Sequence, residues 1–590
     1  MTDQPPSPPR GRHRSSGSAS RTWLIVGVVV ALVAAAGVVT WLVRSTSSTD
    51  TASAGSAAAA GTATSAGELQ TSGAPTSGAG SACELDGGSL TVAAAPGLAA
   101  TLTDIVSTQQ VTVAGCSVRI EATDPAQVAA DGKVDAAVWI PDSSIWLARA
   151  NAAGLTAAAG PSIAASPVVF ALSGTAAQQL AAAGGSADVA GILATRKSAD
   201  PIRVGLPDPT KSAAAVAAVL AAKGAVTGTP DARAALTWGV RSSPDGLPVA
   251  DDELLARLAA DPDTAVPVTE QALVAYDKAN PGSPAHAVYP GQGGFAMDYP
   301  VVTVGTDPAV ARAAQDLTTA LQSADVRQAL LAAGFRAPDQ SAGSAVTATN
   351  GVDPAHTDSG GMPSGQDVDD AIRDVQTTNE ASRMLAVMDI SGSMLAQVPG
   401  ANGATRIDLA KAAAGLGLGL YRADSDIGLW EFSTKLDGTT DHRQLIPIST
   451  LGPDGQGGTG AARLAAALNG LQAIPNGGTG LYDTVLDAVR AVRAGWDPNR
   501  VNSVLILTDG MNDDDDSITM DQLLSTLAAE QDPNKPVPVI AIAFGPDSDV
   551  AALQQISKAT GGATYLSQDP RQIGEIFLDA VGQRLCRPSC

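Results

Sequence analysis

From residue 384 onward, short apolar runs alternate with longer stretches whose apolar residues recur every three or four positions. MLAVMD (384–389), IGLWEFS (427–433), QLIPIS (444–449), SVLILTD (503–509) and VPVIAIAFG (537–545) read as strands, with ATYLS (563–567) as an edge strand. RIDLAKAAAGLGLGLY, AARLAAALNGL, LYDTVLDAVRAVRAGW, MDQLLSTLAAEQ, DVAALQQISKATG and RQIGEIFLDAVGQRL read as helices between and after them. A strand covered on both faces is apolar throughout, and parallel neighbours need a crossover, usually a helix. The pattern predicts a doubly wound, Rossmann-like α/β domain over 384–580, with a parallel sheet between two layers of helices.

An earlier alternation runs from 84 to 340. SLTVAAAP (89–96), VTVAGCSVRIEA, VDAAVWIP (134–141), SPVVFAL (166–172), IRVGLPDP (202–209), HAVYP and PVVTV (300–304) read as strands. Helices such as SAAAVAAVLAAKG stand between them. This is a second α/β domain, its strands ending in Ser, Thr and Asp turns. Residues 45–82 are almost purely Ala, Gly, Ser, Thr and Pro and read as a disordered stalk. Residues 341–383 read as a flexible linker in which DVDDAIRDVQTTNEA (367–381) is a short amphipathic helix.

TWLIVGVVVALVAAAGVVTWLV (22–43) contains no charged residue. At about 1.5 Å per helical residue it can span a hydrocarbon core of about 30 Å. Trp23 and Trp41 stand near its ends, where amphipathic rings favour the membrane interface. Arg10, Arg12, Arg14 and Arg21 precede it, and Arg44 alone follows closely. The positive-inside bias places the tail 1–21 in the cytoplasm and the bulk of the chain outside a single-pass anchor. A cleaved signal peptide is the rival reading, but its apolar core would be about 7–15 residues.

A net charge of −23 excludes nucleic acid as a partner, since phosphate binding needs basic patches. An exported chain can form disulfides. Cys83 and Cys116 could pair, and Cys586 and Cys590 could close a loop in the tail 581–590, but four cysteines allow three pairings and the sequence does not choose.

Ligands of open α/β sheets bind at the carboxyl ends of the strands. There the first strand of the second domain runs into Asp389-Ile-Ser391-Gly-Ser393. Thr479 in Gly477-Gly478-Thr479-Gly480 and Asp509 in Leu-Thr-Asp509-Gly510 should fall on the same edge. Carboxylates and hydroxyls are hard oxygen donors, suited to Mg²⁺, Mn²⁺ or Ca²⁺ rather than Zn²⁺. A nucleophilic serine would need a base. His442 is the only histidine of this domain, and no Gly-x-Ser-x-Gly elbow surrounds either serine, so the domain is not read as an enzyme. Asp513–Asp516 reads as a solvated loop, with a second cation site as the alternative, and Tyr482 and Asp483 as a helix start supporting the site.

These residues resemble the metal-ion-dependent adhesion site of von Willebrand factor type A domains, whose pattern is Asp-x-Ser-x-Ser, a distant Thr and a distant Asp. The resemblance implies a divalent cation, most readily Mg²⁺, with Ser391, Ser393 and Thr479 close to it and Asp389 and Asp509 binding directly or through water. An open position would take a carboxylate from a protein or cell-envelope partner. The earlier domain resembles the two-lobed type II solute-binding proteins, through LTVAAAPGL, VDAAVWIPD, VGLPDPTKSAAA, VTEQALVAYDKANPG and AVYPGQGG…DYPVVTV. That resemblance implies a small, often anionic solute gripped by cleft loops carrying Ser143, Ser144, Thr210, Ser212 and Thr269, the same residues being equally good helix caps. The first such loop, Ala94-Ala95-Pro96-Gly97, lacks a hydroxyl. Together these readings predict a membrane-anchored, non-enzymatic surface protein for metal-dependent adhesion. The alternatives are a tethered substrate-binding component of a transport system and an envelope assembly scaffold working with an ATPase chaperone.

Overall fold

The computed structural model describes residues 83–582, except 84, 86–87, 114, 244–246, 292–293, 359, 400, 402, 456, 545–547 and 568–572. The expected membrane helix at 22–43, the stalk at 45–82 and the Cys586–Cys590 pair lie outside the described residues. Among the described residues, no helix is long and apolar enough to cross a membrane.

The chain first lays down β1 (Ser89–Ala94), β2 (Thr112–Val113), β3 (Cys116–Ala122), β4 (Val138–Ile140) and β5 (Ala157–Ser162). It then builds a second lobe from β6 (Val168–Leu172), β7 (Arg203–Val204), β8 (Thr264–Thr269) and β9 (His286–Val288), and returns for β10 (Pro300–Val304). The first lobe is a sheet in the order β2-β3-β1-β4-β10-β5, the second one in the order β7-β8-β6-β9. Two crossing segments join them, and they pair with each other through Ser166 and Met297. A disulfide between Cys83 and Cys116 ties the approach to β1 onto β3. The sequence pattern misses β5, because AAAGPS carries no β-branched or aromatic residue. The alanine-rich helix Ala213–Val226 runs between the lobes. Ala213, Ala214, Val216 and Ala217 join the core of the first lobe, while Ala218 and Val226 join that of the second.

The later domain has β11 (Ser382–Asp389), β12 (Asp426–Asp437), β13 (Thr440–Thr450), β14 (Val501–Thr508), β15 (Val539–Phe544) and β16 (Thr564–Ser567). Their order is β13-β12-β11-β14-β15-β16. Met384, Ala386 and Met388 of β11 enter one core, and Leu385 and Val387 enter the core on the other face. One strand departs from the predicted all-parallel sheet. QLIPIS lies in β13, which pairs antiparallel with β12 at the sheet edge. Pro447 fits there because an edge strand can spare a donor. The chain winds from β11 outward to β13, then crosses to β14 and winds the other way. The switch point therefore lies between β11 and β14.

Residues 341–383 read as a tether, yet in the structure they are packed. Arg336 is the reason. Its side chain has no exposure, and its Nε and Nη2 donate to Glu270 Oε1 at 2.7 Å and Oε2 at 2.6 Å. The remaining N–H groups donate to the carbonyls of Gln340, Asp353, Pro354 and His356. Tyr289 donates its hydroxyl to Glu270 and stacks on His356 at 3.9 Å. Val346 and Val352 enter the core of the second lobe. The helix Gly365–Thr378 then buries Val368 and Ile372 in the core of the first lobe and packs Ala371 and Val375 against Val219. It is pinned by Arg149–Asp369 and Lys223–Asp374, both at 2.6 Å.

The two domains also touch directly. The helix Ala232–Arg241 lies on the last described helix, Ile573–Gly582, and Ala234 packs in one core with Phe577, Leu578, Ala580 and Val581. Arg196, almost fully buried, donates to Glu575 at 2.7 Å and also pairs with Asp231.

Removing one partner of a buried ion pair leaves the other charge without compensation. Arg336→Ala should therefore lower unfolding free energy by roughly 3–5 kcal/mol. Urea unfolding of the full chain checks this, and a loss within about 0.5 kcal/mol, the size of an ordinary surface change, would contradict it.

Candidate metal centre

Asp389 is the last residue of β11 and has no exposed surface. Its Oδ1 accepts the backbone N–H of Ser391 at 2.7 Å, which turns the chain at the end of the strand. Its Oδ2 accepts the hydroxyl of Thr508, the last residue of β14, at 2.6 Å. Asp509 follows directly and is equally buried. Ser393 Oγ donates to Asp509 Oδ1 at 2.7 Å and lies 2.9 Å from Ser391 Oγ. Asp389, Ser391, Ser393 and Asp509 thus form one continuous set at the switch point between β11 and β14.

The glycine-rich loop brings in Thr479. The Gly477 carbonyl accepts the Gly392 N–H at 2.9 Å, and the Gly478 carbonyl accepts the Ser433 hydroxyl at 2.8 Å and the Thr434 N–H at 3.0 Å. A Cβ at Gly478 would stand 2.6 Å from the Asp513 carbonyl, closer than packing permits, so only glycine fits. Asp513 N–H donates to the Thr479 carbonyl at 2.9 Å, and Asn512 Oδ1 accepts the N–H groups of Leu481 and Tyr482 at the start of the next helix. Thr479 is buried. The position a Cβ would take at Gly510 lies 3.3 Å from Thr479 Oγ1 and 3.8 Å from Ser393 Oγ, so both hydroxyls lie close against Gly510.

Two features were not visible as site residues in the sequence. Thr508 holds Asp389, as above. Arg406, largely buried at the first position of the helix Arg406–Leu418, donates to Asp509 Oδ2 at 2.7 Å. Its place next to the Thr405 cap marks a helix start and nothing else, and the contact spans more than a hundred residues of sequence.

Burial pushes the Asp389 carboxyl up to about 6, and the charge of Asp509 adds to the rise, while the bonds from Ser391 and Thr508 oppose it. Arg406 offsets one of the two negative charges. A divalent cation beside Asp389 would offset the rest. The donors present, two carboxylates and three hydroxyls, fit a hard divalent ion.

A second acidic group lies beyond the Gly-rich loop. Asp441, Asp483 and Asp514 bring one carboxylate oxygen each within 4.8 Å of the others. Burial raises Asp441, and the charge of Asp514 contributes, while the Lys435 N–H bond opposes the rise. Asp516, on the same loop, pairs with Lys435 at 2.6 Å. Asp483 also accepts the Ile518 N–H at 3.3 Å.

The loops expected to face solute in the earlier domain are used differently from one another. Ser143 is fully buried. Ser144 precedes the helix Ile145–Ala152, and its backbone N–H donates to Asp298 Oδ1 at 2.7 Å. Thr210 is bound to Asp208 by both its N–H and its hydroxyl. Ser212 caps the helix Ala213–Val226, and Thr269 caps the helix Glu270–Ala279 while donating its hydroxyl to Asp251 at 2.6 Å.

Comparison with known proteins bears on both domains. Residues 90–336 match the family described as bacterial extracellular solute-binding protein, and residues 459–566 match the von Willebrand factor type A domain. The chain carries a solute-binding domain followed by a von Willebrand factor type A domain. The type A match includes Thr479 and Asp509, while Asp389, Ser391 and Ser393 precede it on the same sheet. An uncharacterized protein of Mycobacterium tuberculosis (strain ATCC 25618 / H37Rv) is 31% identical over 161 residues. The match spans 26% of this chain and only 22% of that protein's length. A von Willebrand factor type A structure from Catenulispora acidiphila is 20% identical, covering 35% of this chain and 43% of that one, with a TM-score of 0.28. The sulfate-binding protein SubI from Mycobacterium tuberculosis H37Rv is 18% identical, covering 42% and 87%, with a TM-score of 0.34.

The raised Asp389 carries a sign. Its protonated form is favoured by the fold, so the metal-free chain loses stability as pH rises from about 4, the unfolded value, to about 6. The full loss is roughly 3 kcal/mol, at 1.36 kcal/mol per unit. Asp389→Asn removes this dependence. In urea unfolding with chelator present, the variant should gain up to roughly 3 kcal/mol on wild type between pH 4 and pH 7. Parallel profiles for the two would contradict the burial argument.

Proposed function

We propose that this chain is a non-enzymatic binding protein of the cell surface, held by its 22–43 segment and attached to a partner through a divalent cation. In this reading Ser391, Ser393 and Thr479 ligate the ion, with Mg²⁺ the expected species. Asp389 and Asp509 hold it directly or through water. An acidic side chain of a protein or cell-envelope partner completes the coordination. The observation that carries the reading is the meeting of these side chains at the switch point of a doubly wound sheet, where ligands of such sheets bind. Charge supports it as well: a divalent ion is the one group that would both relieve the buried carboxylates and attract a further carboxylate.

The two-lobed domain favours a second reading, membrane-tethered delivery of a small solute to a transport system. That reading requires a solute that stabilises the chain without any help from the metal.

Mg²⁺ added to metal-free chain should raise Tm in a saturable way, corresponding to about 2.7 kcal/mol at a hundredfold excess over Kd. Asp389→Ala should abolish the rise. An equal rise in the variant would place the ion elsewhere. A pull-down from envelope extract should recover the partner with Mg²⁺ and lose it with chelator or with Asp509→Ala, and recovery indifferent to both would contradict metal-dependent attachment.

A further inference from the structure

The helix Gly365–Thr378 divides its apolar face between the two lobes of the solute-binding domain. Val368, Ala371, Ile372 and Val375 recur at the spacing of one helical stripe, and all four are buried. The stripe splits into two neighbouring rows, each stepping by one turn. Val368 and Ile372 enter the core of the first lobe, which also holds Val92 and Trp139. Ala371 and Val375 pack with Val219 against Leu206 and Val240. These last two belong to the second lobe. Leu206 packs against its core, and Val240 lies on the helix Ala232–Arg241, whose Ala235 enters that core.

Polar contacts fix the helix in this place. Ser364 and Asp367 cap it reciprocally: the Asp367 N–H donates to Ser364 Oγ at 3.2 Å, and the Ser364 N–H donates to Asp367 Oδ2 at 3.1 Å. Asp369 pairs with Arg149 of the first lobe, and Asp374 with Lys223 of the helix Ala213–Val226. Just past the helix, the Glu380 carbonyl accepts Arg241 Nη2 of the second lobe at 2.9 Å. The helix therefore starts on the first lobe and finishes on the second.

Two-lobed domains change shape by bending a few residues between the lobes. The crossing segments, paired at Ser166 and Met297, would permit such bending if they alone joined the lobes. The helix opposes it. The lobes cannot turn away from each other at this face without returning one of its two rows to water. Close-packed side chains also do not slide gradually past one another.

We propose that the helix Gly365–Thr378 is a brace holding the two lobes in one relative orientation, so that this domain takes up a solute without closing on it and serves as a rigid platform for the type A domain. The connection to that domain is short. Only Asn379, Glu380 and Ala381 separate the brace from β11, which ends in Asp389, and the second lobe packs on the type A domain through Ala234.

Double electron–electron resonance on the full chain tests this. One spin label is placed at Thr108→Cys, in the helix Pro96–Gln109 of the first lobe. The other is placed at Gln178→Cys, in the helix Gly174–Ala182 of the second, and both positions are exposed. Cys586→Ser and Cys590→Ser leave no other cysteine outside the Cys83–Cys116 bond. The braced chain should give one narrow distance distribution. Val368→Ala together with Ile372→Ala removes the first-lobe row while keeping a good helix former, and should broaden the distribution roughly twofold or add a second distance. Circular dichroism checks that the variant folds, and Ile372→Ala alone takes its place if it does not. A broad distribution in the braced chain, or one that the folded variant leaves unchanged, would overturn the proposal.

Discussion

Two aspartates with no exposed surface, Asp389 and Asp509, stand at the ends of neighbouring parallel strands, and the geometry around them follows from balancing their charge. Each carboxylate is expensive to bury, and each raises the cost of the other. The fold meets part of that cost with donors: Ser391 and Thr508 on Asp389, Ser393 and Arg406 on Asp509. One positive charge for two negative ones leaves a deficit beside the hydroxyls of Ser391, Ser393 and Thr479. The doubly wound topology makes this inevitable at one place only. Strands diverge at the switch point, so the side chains after β11 and β14 face each other there rather than being covered by a crossover.

Much of this was legible in the sequence because it rests on local pattern. The apolar runs of β11 and β14 announce strands covered on both faces, and the residues closing them are fixed in place once the strands are parallel neighbours. Thr479 was singled out for a different reason: its glycine-rich loop opens a helix on the same sheet edge and matches the distant threonine of the type A pattern. Arg406 and Thr508 were not legible as partners of the site. Arg406 reads as an ordinary helix start, and Thr508 as an ordinary strand residue; their roles come from contacts 103 and 119 residues away.

The segment after 340 is the instructive failure. The amphipathic helix within it was legible and forms at Gly365–Thr378, but the Ser, Gly, Asp and Thr content before it lacks the apolar pattern of a packed element and reads as a linker. What holds it is backbone carbonyl oxygens gathered around the guanidinium of Arg336, and carbonyls are the same in every sequence. The consequence reaches function. The two binding domains are not beads on a string. The helix Gly365–Thr378 lies across the solute-binding domain, and the type A domain shares an apolar core with it through Ala234 and Phe577. The two domains are therefore parts of one packed body.

Asp441, Asp483 and Asp514 gather three carboxylates within 4.8 Å of one another, where the proposed centre has two. Mn²⁺ soaked into crystals of the full chain, with an anomalous-difference map at the manganese edge, distinguishes the two directly. A peak is expected bounded by Ser391, Ser393 and Thr479, next to Asp389 and Asp509. A map with no peak there, or with its only peak among Asp441, Asp483 and Asp514, would contradict it.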